Sequence, residues 1–264
     1  MRSSPDLARA ADLVAESGSA LGRPLHVLAR TTSTNDEAKR AAREGAPHGA
    51  TWVAEEQSAG RGRQGRSWVS ARGENLLFSV LLRVTCPPAR LPPVALVAGL
   101  AVRDAVARAA PAVEVRIKWP NDVLVGPRKI AGVLVEAVTV GSRVEAVVVG
   151  VGVNVHVRAF PEDLAGRATS IALAAGNPPD RGAVLADVLA SLDRDVHVVL
   201  ARGLGLLRAR LDEADALRGR RVRNEGGDWS DEGTAAGIDD EGRLLVRRDD
   251  GVLARWSAGE VHLT

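Results

Sequence analysis

The sequence predicts a protein of mixed helices and strands in two parts: a sheet-and-helix unit spanning residues 25–215 and a small all-strand unit at 216–264, with 1–24 as a short helical extension. Three observations predict it. Apolar runs of strand length at 75–84 and 144–157 alternate with helix-length segments at 94–109 and 180–212. Beyond Gly219 the texture changes to five short alternating segments with turn residues between them. A chain of 264 residues, 45% of them apolar, can bury one large core and one small one.

In order along the chain, residues 1–22 carry Leu7, Ala10, Ala11 and Val14 at helical spacing, which predicts one amphipathic helix ending near Gly18. A strand follows at 25–29. Thr31 to Asn35 then opens a second helix: Ser/Thr/Asn suit the cap, Asp36 and Glu37 the first turn, Arg40 and Arg43 the last, and Gly45 the stop. Capping alone explains these residue types; the alternative is that Ser33, Thr34 and Asn35 offer hydroxyls and an amide to a polar ligand. Residues 51–56 read as a strand with Gln57 at its exit, 75–84 as a buried strand, 87–93 as a proline-rich break and 94–109 as a helix on the sheet.

Residues 113–118 alternate as a strand with one wet face, and Trp119 to Asp122 form a turn. A hairpin is expected over 123–137. The next strand, 144–157, contains Gly150 and Gly152, and glycine within a strand often marks close approach by a ligand or another chain segment. One or two helices are expected over 180–212. The strands after Gly219, about 45 residues in all, suggest a small SH3-like barrel.

Composition removes several classes. The formal charge is only +2 despite a pI near 9.2, and acidic and basic residues interleave, so no extended basic face for nucleic acid is expected. The single Cys86 leaves no disulfide framework or zinc spacing and reads as a core or loop thiol in a reducing compartment. No apolar run reaches membrane-spanning length and no signal peptide is recognisable, so a cytoplasmic protein without membrane contact is expected. Of 35 basic residues only Lys39, Lys118 and Lys129 are lysines. In so arginine-biased a chain, lysine is expected where an ammonium is needed, and two of the three lie close together.

The densest chemistry lies at 60–68, GRGRQGRSW. Glycines free the backbone to approach a ligand, arginine forks match carboxylate and phosphate, and successive N–H groups can cradle an anion. The loop occurs once, between strand segments, unlike repetitive RNA-binding Gly-Arg tracts. A second cluster, Lys118 with Asn121 and Asp122, sets a cation, an amide and a carboxylate at one strand end. A carboxylate beside phosphates suggests Mg²⁺, which binds through one or two carboxylates plus substrate oxygens.

Together, Ser33-Thr34-Asn35, Gln57, the 60–66 loop with Trp68, Lys118-Trp119-Pro120-Asn121-Asp122, Lys129-Ile130-Ala131-Gly132 with Glu136, and Gly150 to Asn154 resemble the biotin–protein ligases. The resemblance runs from about residue 27 to the C-terminus. Gln64 departs from the basic residue many relatives carry there. The DNA-binding domain of bifunctional members is missing, so a ligase-only form is expected.

The resemblance implies an α+β catalytic domain on a mixed β-sheet, related to lipoate ligases and to class II aminoacyl-tRNA synthetases, followed by an SH3-like domain. It implies ATP and Mg²⁺ as cofactors, biotin as substrate and a biotin carboxyl carrier domain as partner, with a homodimer left open. By the same resemblance Ser33, Thr34, Asn35, Gln57, Arg61, Gly62, Arg63, Lys129 and Gly132 would line the biotin site. Arg63, Arg66, Trp68, Lys118, Asn121 and Asn154 would serve ATP and the adenylate, with Lys129, Arg63 and Lys118 catalytic and Asp122 on the metal. The rival readings are a lipoate or octanoate ligase, which would want a long apolar slot, and a nucleic-acid-binding module, which would want stacking aromatics that a chain with no Tyr and two Phe lacks.

Overall fold

The computed structural model describes residues 4–84, 88, 91–141, 143–177, 179–226 and 229–264; Cys86, with its expected core or loop environment, lies outside them. The N-terminal segment is two short helices, α1 (Pro5–Ala8) and α2 (Ala10–Glu16), where one was expected. Leu7, Ala10 and Val14 are buried as predicted, but Ala11 faces solvent because the break at Arg9 turns the second helix. Strand β1 (Leu25–Leu28), helix α3 (Thr34–Arg43), and strands β2 (Thr51–Ala54) and β3 (Asn75–Leu82) follow. Helix α4 runs Leu91–Ala109, longer than expected. Pro92 and Pro93 sit in its first turn, where a missing N–H costs no intrahelical bond, so they start the helix rather than delay it.

Strands β4 (Val115–Lys118), β5 (Asp122–Val125), β6 (Arg128–Val140) and β7 (Arg143–Asn154) complete the main sheet. Its order is β1-β2-β3-β7-β6-β5-β4. The β1–β2 pair is parallel and every other ladder antiparallel, which makes the sheet mixed. The short helices α5 (Glu162–Ala165) and α6 (Ile171–Ala175) lead into α7 (Arg181–Arg202), capped by Asp180, which accepts from the Ala183 N–H at 3.0 Å, and then α8 (Arg208–Ala214). Strands β8 (Arg221–Gly226), β9 (Trp229–Ile238), β10 (Leu244–Arg247), β11 (Leu253–Trp256) and β12 (Glu260–Leu263) form a separate antiparallel sheet in the order β11-β10-β9-β8-β12, as expected of the SH3-like unit.

The main sheet is covered on both faces. On one, α4 and α7 pack with the N-terminal helices over Phe78, Val80, Val149 and Val151, forming the large core. On the other, α3 covers Trp52, Leu81 and Val148 with its alanines. Two covered faces explain why β3, buried at all eight positions, reads as a continuous apolar run rather than an alternation. The second sheet is tied to the first by Trp119, fully buried, whose indole N–H donates to Gly242 O at 2.8 Å.

Candidate active site

The α3 face of the sheet is incompletely covered beyond the helix N-terminus, and there it opens into a cavity of about 970 Å³. Every residue that the resemblance assigns to the biotin, ATP or metal site lies on its wall. The elements put them there for local reasons.

At one end is the start of α3. Ser33 occupies the N-cap position in extended geometry, but its side chain makes no capping bond. The capping explanation therefore fails for the hydroxyl, which lines the cavity instead. Thr34 and Asn35 are 4% exposed and tightly held. Gln57 Oε1 accepts from the Thr34 backbone N–H at 2.7 Å, and Thr34 Oγ1 lies 3.0 Å from the same oxygen. The Asn35 carboxamide lies flat on β7, where a Cβ at position 150 would come within 2.1 Å of its Oδ1. Only glycine allows this contact.

Next to it stands the 60–68 loop, closed on itself by Gly62 N–H to Arg66 O at 2.7 Å and Trp68 N–H to Gly60 O at 2.9 Å. Gln64, exposed at its tip, takes a left-handed φ of 56°. Each arginine of the loop has a partner. Arg61 grips Asp36 with two bonds of 2.6 and 2.7 Å, Arg63 donates to Asn121 Oδ1 at 3.2 Å, and Arg66 meets Glu260 of β12 at 2.6 Å. Trp68 folds back over the sheet floor: a Cβ at position 152 would lie 2.6 Å from its ring, and its indole N–H is buried without a partner.

The cationic end is built by β4, β5 and β6. Lys118 and Asp122 are register partners and so share a face. Lys129 and Gly132 are three apart, which in a regular strand puts them on opposite faces. A bulge corrects this. Val123 pairs with Ala131 but Leu124 pairs with Lys129, so Ile130 is the extra residue and Lys129 turns to the Gly132 side. Its backbone is pinned by Lys129 N–H to Arg167 O at 2.8 Å and Thr169 N–H to Lys129 O at 2.9 Å. Its ammonium lies 2.5 Å from Asp122 Oδ1 and 5.6 Å from the Trp68 ring centroid, within cation–π range. Burial lowers the pKa of both Lys118 and Arg63, with Asp122 and Glu260 pulling the other way, so an anion entering here gains two poorly hydrated cations. Asn121 donates to Val133 O and Asn154 to Thr169 O, at 2.8 and 3.0 Å.

Sequence reasoning missed several wall residues. Arg116, Arg218, Arg220, His262 and Leu263 also line the cavity. The last four come from the second sheet and its approach, so the small unit completes the wall instead of hanging beside it. Nothing in their local sequence marks them. Asp36, which pairs with Arg61, looked like a helix-dipole residue. Among the described residues no group of three or more His, Cys, Asp or Glu side chains is arranged to hold a metal.

The Biotin/lipoate A/B protein ligase family model matches residues 27–154, and the Biotin protein ligase C terminal domain model matches 219–263. Biotin--[acetyl-CoA-carboxylase] ligase of Mycobacterium tuberculosis is 38% identical over 85% of this chain and 83% of its own length. Its namesake from Paracoccus denitrificans is 36% identical over 84% and 93%. Among solved structures, biotin protein ligase from Aquifex aeolicus in complex with biotin and ATP superposes with a TM-score of 0.78 at 29% identity, covering 91% of this chain and 98% of that one. The chain belongs to the biotin/lipoate protein ligase family, within its biotin protein ligases.

Proposed function

We propose that the protein activates biotin with ATP to biotinyl-5′-AMP and transfers the biotinyl group to a lysine of a biotin carboxyl carrier domain. The observation that carries this reading is the polarity of the cavity: hydroxyls and amides at one end, Lys118, Lys129 and Arg63 at the other, with Lys129 fixed by the β6 bulge on the shared floor. A ligand with a polar neutral head and a carboxylate tail fits that order. The relatives named above act on biotin or hold biotin and ATP.

In the first step a biotin carboxylate oxygen attacks the α-phosphorus and pyrophosphate leaves. In the second, the carrier amine attacks the acyl carbon and AMP leaves. Lys129 exchanges Asp122 for the carboxylate and α-phosphate, drawing charge from both in a partly desolvated site. Arg63 and Lys118 take the phosphates, while Trp68 offers its ring to the adenine and Asn121 and Asn154 their amides to the nucleotide. The Gly62 and Arg63 backbone, with Ser33, Thr34, Asn35 and Gln57, holds the head. Arg61 and Arg66 hold the loop over the adenylate and keep water from the mixed anhydride. Magnesium fits as an ion held by Asp122 and chiefly by ATP oxygens, where it would neutralise phosphate charge.

The test is pyrophosphate release from Mg-ATP with biotin, lipoate or octanoate and no carrier. Release with biotin alone, leaving a bound biotinyl-adenylate visible by mass spectrometry, is expected. Release with lipoate or octanoate instead would move the substrate and keep the chemistry.

A further inference from the structure

The protons at the neutral end of the cavity can be counted. Asn35 is oriented by Glu136: its Nδ2 lies 2.6 Å from Glu136 Oε2 and 3.4 Å from Leu134 O, and both are acceptors that demand N–H. Its Oδ1 therefore faces Ser79 Oγ, 2.5 Å away. An amide oxygen has no proton to give, so the Ser79 proton lies in that contact. Ser79 Oγ is also 2.7 Å from Thr34 Oγ1. With its one proton committed, Ser79 can only accept there, and the Thr34 proton goes to this contact because it is the shorter of the two that Thr34 makes. The third contact, Thr34 Oγ1 to Gln57 Oε1 at 3.0 Å, is then left without a proton. Gln57 does not relieve this by turning over, because its Oε1 already accepts the Thr34 backbone N–H.

Three oxygen–oxygen contacts thus share two protons, and the deficit falls at the cavity wall. Thr34 Oγ1 and Gln57 Oε1 converge there as two acceptors with no proton between them, an arrangement that is costly on a half-buried wall until a donor arrives. The direction is imposed from outside the cavity. Glu136 accepts from Asn35 on one oxygen and from Lys39 at 2.7 Å on the other, and Lys39 also meets Asp36 at 3.2 Å. Arg61 stands 3.5 Å from the Asn35-facing oxygen. Ser79 is fully buried, a lone hydroxyl in the otherwise apolar middle of β3.

We infer that Glu136, Lys39 and Ser79 are positioning residues that set the direction of this relay, so that Thr34 and Gln57 read an N–H donor on the head of the acid. Resting on the function proposed above, that donor is an N–H of biotin's cyclic urea. A dithiolane or an alkyl chain carries none and would leave the acceptor pair unmet, so the relay selects among acids that the cationic end would treat alike.

Glu136→Gln tests it with little change of shape. The new amide turns its carbonyl to the Lys39 ammonium and its NH₂ to Asn35, which must turn over. Asn35 then gives a proton to Ser79, Ser79 to Thr34 and Thr34 to Gln57, and the acceptor pair closes. In pyrophosphate release the KM for biotin should rise on the order of tenfold or more, while kcat and the KM for ATP stay within about twofold. Adding Lys39→Met frees the amide carbonyl to accept from Asn35, and the biotin KM should return toward its starting value. Ser79→Ala should raise the same KM. Biotin methylated at one or the other urea nitrogen adds a second readout: the unsubstituted protein should reject one methyl form far more than the other, and Glu136→Gln should blunt that difference.

A biotin KM that Glu136→Gln leaves within about threefold overturns the relay. So does a parallel loss for biotin and ATP that Lys39→Met fails to rescue, since that marks a scaffold role. If the unsubstituted protein activates lipoate or octanoate and ignores biotin, the substrate reading falls and the relay with it. Biotin activation with an insensitive biotin KM removes the relay alone.

Discussion

The two ends of the cavity are built on opposite plans. At the neutral end, Thr34, Asn35, Gln57 and Ser79 are held by one another and by backbone, on α3 and β3, before any ligand arrives. At the cationic end, Arg61 and Arg66 of the 60–68 loop and Lys129 are held by carboxylates, Asp36, Glu260 and Asp122. Of those carboxylates, Asp122 lines the cavity. One end is therefore a fixed template. On the function proposed above, the other is a set of cations on loan, which an anionic ligand would take over by exchange. Pre-organisation suits discrimination of a neutral head, where a misplaced donor is decisive. Exchangeable ion pairs suit a nucleotide that must bind, lose pyrophosphate and leave as AMP.

The fixed end can be broken from below. Arg181, 1% exposed, donates to Asp6, to Glu55 and to Asn75 O, and so ties the N-terminal helices to β3, which carries Ser79, and to the segment after β2 that leads to Gln57. Arg181→Ala leaves buried Glu55 uncompensated and should cost about 3–5 kcal/mol in urea unfolding. The pH dependence should change with it. Burial pushes Asp6 and Glu55 up, but the Arg181 guanidinium and backbone N–H groups, of Leu7 on Asp6 and of Ser4 on Glu55, outweigh it and hold both carboxyls below their ordinary range. Their contribution to stability is complete above the unfolded values of about 4 and is lost as pH falls through the folded ones. In Arg181→Ala the backbone N–H bonds to both carboxyls remain but the guanidinium is gone, so both should titrate higher and the variant should lose less stability on acidification than the unsubstituted protein, measured as Tm against pH.

The exchange end is broken at the chemistry. Lys129→Ala should lower the rate of pyrophosphate release on the order of 10²–10³-fold at saturating biotin and ATP, by removal of one charge-stabilising donor. Biotin binding by calorimetry should fall much less. A rate close to that of the unsubstituted protein would take Lys129 out of the reaction.

The smallest effect belongs to the link between the loop and β12. The Arg66–Glu260 pair is half exposed, and such pairs are worth about 0–1 kcal/mol. Glu260→Gln should leave Tm almost unchanged. Its expected signature is a shift of a few fold in the KM for ATP, with the KM for biotin unmoved. Equal shifts in both would blur the division between the two ends.

How much of this was legible in the sequence follows the range of the interactions. The 60–68 loop, the Lys118–Asp122 turn and the five late strands are local, and their turn chemistry and spacing gave them away. The orientation of Lys129 was not, because a bulge at Ile130 is a property of two paired strands and leaves no mark in one. Ser79 was hidden as one hydroxyl in an apolar strand; its meaning comes from Asn35, 44 positions earlier. His262 and Leu263 became part of the cavity only because the second sheet packs against the first through Trp119, a contact spanning 123 positions. The α4 start was misread because prolines that break a strand also begin a helix.

The most direct test of the two plans is amide hydrogen exchange across the chain, without ligand and then with biotin and ATP in the absence of carrier. The exchange plan predicts that residues 60–68 become strongly protected once the adenylate forms. The template plan predicts that 33–35 and 75–79 are already slow and change little. Protection gained equally at both ends, or a 60–68 loop as slow before ligand as after, would contradict the account.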